Sequence, residues 1–197
     1  MILDDEAVGL MIRIVRSAVR CAQCVNYFNA SSSSSKQFVT FSQNCFGELA
    51  VLHWSTVFGS RDGEPTHFKK YFDRPDVVQV SDGYITARKC KDHFLSKISM
   101  TEQEYESFWR QAHDMRNKLV AHRDDLSNVS FPDVDICKIQ CYAILECMGA
   151  LLQCSIRNGD QRDLVEKYEA YLGDNGSPPG IEGACRKSIA EVGDLLT

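Results

Sequence analysis

Apolar residues recur along this chain at steps of three and four, the spacing that gathers them on one side of an α-helix, and the alternation of a half-buried strand is scarce. The pattern predicts an all-α protein. A first long helix is expected over about 5–27, with Met11, Ala18, Ala22 and Val25 on one face and Arg13, Arg16 and Arg20 on another. The serines at 31–35 end it as a flexible linker, because so polar a run buries too little surface to offset the entropy lost on ordering. A second helix is expected over 37–58, with Phe38, Phe41, Cys45, Leu49 and Leu52 on its buried side, stopping at the turn-forming residues 59–65. From Thr66 to Gly83 the pattern fits a short helix plus an irregular or extended piece carrying Val77, Val78 and Val80, and a short helix over 86–97 follows.

Thr101 and Glu104 have the spacing of a capping box, so a helix starts there and runs to His122. Phe131-Pro132-Asp133 introduces a further helix over 133–157. Beyond Asn158-Gly159 come a charged helix to about 172, a Gly/Pro-rich break over 173–180 and a last helix from 181. The architecture expected is an up-and-down helical bundle over 1–157 with additional C-terminal helices, an extension over 158–197 packed on the bundle. Its core is expected to include Phe41, Leu52, Phe108, Met115, Leu119, Ile144 and Leu151.

With 197 residues, 44% hydrophobic and 25% charged, the chain can fold as one ordinary globular domain with an extension. No stretch approaches the ~18–20 consecutive apolar residues of a spanning helix, and Met-Ile-Leu-Asp-Asp-Glu at the N-terminus lacks a basic leader region. A cytoplasmic protein with no membrane partner is expected. The nine cysteines are an odd number, read as reduced thiols filling core positions. Cys21 and Cys24 together with the helix-spaced Cys137 and Cys141 have the residue types of a four-thiolate zinc site, but no second Cys-x-x-Cys accompanies them. The reading therefore assigns no metal and no cofactor.

A net charge of −5 argues against holding nucleic acid through the global field, so any RNA site must be a local basic patch. Arg13, Arg16 and Arg20 could supply one, or could be a solvated helix face. His67-Phe68-Lys69-Lys70-Tyr71-Phe72 interleaves rings and charges as single-strand binders do, or is a loop anchored by its aromatics.

The candidate chemistry lies in the run from Met115 to Asp124, where Arg116, Asn117 and His122 interrupt an apolar helical pattern. Arginine offers a phosphate a rigid fork of donors, and histidine takes and gives protons near neutrality. At about 100° per residue, Tyr105, Phe108, Ala112, Met115 and Leu119 form one apolar stripe. Arg116 and His122 fall on its two edges, about 120° apart, which suits convergence in a groove between helices or between two chains related by a twofold axis. The plainer alternative is a helix-end His122 and an Arg116 ion-paired with Asp114, Asp124 or Asp125. His113 and His53 have weaker claims, since neither has an arginine in a comparable setting.

The segment Arg116-Asn117-Lys118-Leu119-Val120-Ala121-His122 resembles the signature of the HEPN superfamily (higher eukaryotes and prokaryotes nucleotide-binding), an Arg and a polar residue followed by a His. The continuation through Arg123 and Asp124 is similar to its abortive-infection and toxin branches. The resemblance implies a homodimeric helical bundle acting as a metal-independent endoribonuclease in a toxin–antitoxin or phage-defence setting. RNA, in single-stranded or loop regions, would be the substrate, and an antitoxin protein a possible partner. It further implies that His122 is the acid/base group, that Arg116 holds the scissile phosphate and that Asn117 positions them. Asp124 stands where nucleotidylated toxins carry a tyrosine, so that route of regulation is not expected. The alternative is a non-catalytic helical module that uses the same cleft to bind a nucleotide, RNA or a protein.

Overall fold

The computed structural model describes residues 5–30, 36–59, 66–80, 83, 85–121 and 131–157. Among them the chain forms seven helices and no strand: α1 (Asp5–Asn29), α2 (Lys36–Phe58), α3 (Phe68–Phe72), α4 (Pro75–Val80), α5 (Ala87–Ile98), α6 (Glu102–Ala121) and α7 (Val134–Arg157). The serine linker, His122 and the expected C-terminal helices of 158–197 lie outside the described residues.

Specific contacts fix the direction of each long helix. Asn29 accepts from Gln43 at 2.8 Å while Val25 lies near Gly47, so α1 and α2 run antiparallel. Asn26 donates to Asp135 at 2.6 Å and Gln23 to Tyr142 at 3.2 Å, which sets α7 antiparallel to α1. Phe58 meets Trp109, Trp54 meets Phe108 and Val51 packs with Met115, so α6 runs against α2. The result is an up-down-up-down bundle of α1, α2, α6 and α7, with α3, α4 and α5 inserted between α2 and α6. In that insertion α5 packs on α7 and on α3.

Trp54 stands at the centre of the bundle. It is fully buried, stacks on Phe58 at 5.5 Å, meets Phe108 edge-on at 5.6 Å and donates its indole N–H to Gln140 Oε1 at 2.6 Å. A buried indole keeps a hydrogen-bond partner because an unpaired donor carries its full desolvation penalty.

The buried face of α2 differs from the one expected. Phe41 is 67% exposed, Leu49 is 42% exposed, and Phe38, Cys45 and Leu52 are half-buried. The face turned inward instead carries Ser42, Gly47, Ala50, Val51, Trp54, Val57 and Phe58, nearly opposite on an ideal helix. Small residues are needed there: a Cβ on Gly47 would lie 3.1 Å from the ring of Phe131. The other six expected core residues are buried or half-buried, including Met115, Ile144 and Leu151 at 1%, 0% and 1% exposure.

The segment read as irregular or extended is helical. Pro75 opens α4 with φ already set, Asp76 sits in its first turn, where a carboxylate complements the helix dipole, and Arg74 pairs with Asp76 at 2.6 Å. Burial of Val77 fixes the outcome, overriding the extended preference of a valine-rich run.

The capping box at the start of α6 forms as expected. The Thr101 N–H donates to Glu104 Oε2 at 2.8 Å and the Glu104 N–H donates to Thr101 Oγ1 at 3.3 Å. The Thr101 backbone N–H, as the leading cause, and the Thr101 hydroxyl, both donating to Glu104 Oε2, hold the Glu104 carboxyl below its ordinary range. Thr101→Ala is expected to cost about 1 kcal/mol, read as a lower urea midpoint with an unchanged slope; an unchanged midpoint would show that the box contributes nothing.

Candidate functional site

The candidate groups are carried by α6, whose stripe of Tyr105, Phe108, Ala112, Met115 and Leu119 is buried throughout. That burial sets the helix's rotation and turns the neighbouring positions outward. Arg116 sits half-buried at the edge of the stripe and Asn117 is exposed beside it.

A chain of contacts runs back along this outer face. Arg116 Nη1 donates to Asn117 Oδ1 at 3.2 Å, and Asn117 Nδ2 meets His113 Nδ1 at 3.1 Å. Because the amide oxygen faces the guanidinium, its NH2 faces the histidine, so His113 Nδ1 accepts and the ring proton sits on Nε2. The His113 ring stacks on Trp109 with centroids 4.9 Å apart and 17° between planes. Trp109 Nε1 in turn donates to the Phe58 carbonyl at 2.6 Å, tying the face to the end of α2.

The structure thus brings Arg116 and Asn117 together and adds His113, which sequence reasoning had set aside for lack of an arginine partner. Its arginine is reached through Asn117. The signal was present in the i, i+4 spacing of Trp109, His113 and Asn117, which stacks their side chains on one helix face. His122 lies outside the described residues.

Toward the start of α6 the same side of the helix borders a cavity of about 360 Å³, lined by Phe58, His67, Lys69, Lys91, Glu102 and Trp109 among others. Lys91 Nζ lies 2.7 Å from Glu102, and that bond holds the Glu102 carboxyl below its usual range. His67 is a satisfied core histidine: Nδ1 accepts from the Lys69 N–H and caps α3, and Nε2 meets the Gly59 carbonyl at 3.1 Å. Burial also lowers the pKa of His53, keeping that ring neutral near neutral pH.

Two other candidates change meaning. Phe68, Tyr71 and Phe72 are buried at 2%, 4% and 0% exposure, so α3 anchors the bundle and offers no open ring surface for bases. Arg13 is exposed, but Arg16 and Arg20 are half-buried and Arg20 Nε is enclosed, so the three do not form one solvated basic row.

Among the described residues no three His, Cys, Asp or Glu side chains are grouped as a metal site would require. Cys137 and Cys141 belong to the main core, whereas Cys24 packs with Phe28 in a separate cluster. Burial pushes the Cys137 and Cys141 thiols well up, away from the thiolate form that binds metal. No described helix is long and apolar enough to cross a membrane. No protein-family model, curated protein or solved structure matches the chain.

Proposed function

We propose that the chain is a metal-independent endoribonuclease of toxin or phage-defence type, cutting single-stranded or loop RNA in a cleft between two copies. The observation that carries this reading is the linked Arg116–Asn117 pair on the outer face of α6, set beside a buried stripe that fixes its orientation. Arg116 would hold the scissile phosphate and stabilise the charge that develops on it, and Asn117 would fix the direction of that guanidinium. His122, six positions on in the sequence, would move the protons. The attacking group is the RNA's own 2′-hydroxyl, which DNA lacks. A cytoplasmic setting and neutralisation by a cognate antitoxin belong to the same proposal.

The test is incubation of the purified protein with RNA and with DNA of the same sequence in EDTA. RNA cleavage with DNA spared is the result expected. Binding of RNA or a nucleotide without cleavage would replace the enzyme by a binding module. The dimer is tested separately by sedimentation at micromolar concentration, where two copies per particle are expected and a stable monomer would remove the shared cleft.

A further inference from the structure

Away from α6, a second cavity of about 340 Å³ lies between α5 and α7, lined by Ile85, Lys89, Cys90, His93, Glu146, Cys147 and Ala150. Two thiols share its wall. Cys90 on α5 and Cys147 on α7 both line it, close enough for each thiol to shift the ionisation of the other. That interaction lowers the pKa of Cys147 and raises that of Cys90, so Cys147 is the more readily ionised of the two. Of the other lining residues, His93 Nε2 lies 2.6 Å from Glu146 Oε2, and Lys97 Nζ lies 3.2 Å from the same carboxylate.

The two cysteine pairs spaced along single helices differ in arrangement. Cys137 and Cys141 stand one helical turn apart on α7 itself, too far for a disulfide without unwinding the helix. Cys21 and Cys24 are likewise spaced along α1. Cys90 and Cys147 face each other across two helices and border a cavity large enough to admit a small oxidant.

We infer that Cys90 and Cys147 form an oxidisable dithiol, in which a hydroperoxide entering the α5–α7 cavity converts the pair to an interhelical disulfide. In the first step the Cys147 thiolate attacks one peroxide oxygen, the O–O bond breaks, and Cys147 becomes a sulfenic acid as hydroxide leaves. Cys90 then attacks the Cys147 sulfur, the S–O bond breaks, and the departing hydroxide takes the Cys90 proton and leaves as water. Two thiols lose two electrons and the peroxide is reduced. The product staples α5 to α7 without either helix changing its partner. This inference stands apart from the ribonuclease proposal and does not depend on it.

The test is stoichiometric hydrogen peroxide on the reduced full chain, followed by alkylation of free thiols and peptide mass mapping. The result expected is a Cys90–Cys147 linked peptide pair, formed ahead of any other cysteine pairing and reversed by dithiothreitol. Cys90→Ser should halt the reaction at a Cys147 sulfenic acid trapped by dimedone, while Cys147→Ser should leave Cys90 a free thiol. Because both serine variants keep the side-chain volume nearly constant, circular dichroism on each establishes that the fold is retained. Both thiols still alkylated after peroxide, or a different pair linking first, would overturn the inference.

Discussion

His122→Ala is expected to slow RNA cleavage in EDTA by about 10²–10⁴-fold, the usual contribution of one positioned proton-transfer group. Arg116→Ala should be comparably severe, because the charge developing on the phosphate loses a fork of fixed donors. Asn117→Ala should act more mildly, since it removes the bond that aims the guanidinium and the contact with His113 but no group that touches the phosphate. His113→Ala belongs in the same series. Its ring touches Asn117 but is stacked on Trp109, so the expected effect is on positioning, with a smaller loss than at His122. If His122→Ala cut as fast as wild type while His113→Ala were inactive, the proton-transfer role would pass to His113. Far-UV circular dichroism of each variant must match wild type for the rates to carry this meaning.

Trp54→Ala is expected to be the most destabilising single change in the bundle, by roughly 3–5 kcal/mol. The side chain is fully buried between Phe58 and Phe108, and its removal leaves both a cavity and a Gln140 oxygen without its donor. Against a total stability of about 5–15 kcal/mol, such a loss would leave much of the population close to unfolding at ordinary temperature. Trp54→Phe separates the two contributions. It keeps most of the volume and loses the N–H, so a cost of about 1–3 kcal/mol is expected for the unpaired Gln140 oxygen. Urea unfolding followed by circular dichroism measures both, and a Trp54→Ala midpoint within error of wild type would contradict the packing described.

The elements whose signals are local were legible in the sequence. The Thr101–Glu104 capping box and the stripe from Tyr105 to Leu119 are short-range patterns, and α6 forms where they place it. On α2 the periodicity misled, because Phe38, Phe41, Cys45, Leu49 and Leu52 make a better apolar stripe than the face that is buried. The choice of face was made by neighbours: α1 and Phe131 approach closely at Gly47, and Trp54 finds its acceptor on α7, eighty-six residues away. Such pairings over long separations leave no trace in a local pattern. The α3 aromatics show the same limit, since only the assembled bundle reveals that their rings point inward. In the candidate site, Arg116 and Asn117 stood out by residue type, whereas His113 required the recognition that a contact can pass through an amide one turn away.

The most direct test of metal-free, 2′-hydroxyl-driven cleavage uses a short RNA whose cut site has been mapped, compared with the same strand carrying a single 2′-deoxynucleotide immediately 5′ of that phosphate. In EDTA the unmodified strand should yield a product ending in a 2′,3′-cyclic phosphate, and the single deoxy substitution should abolish the cut at that position while leaving others intact. Cleavage of the deoxy-substituted strand at an undiminished rate, or a requirement for added divalent metal, would contradict the account.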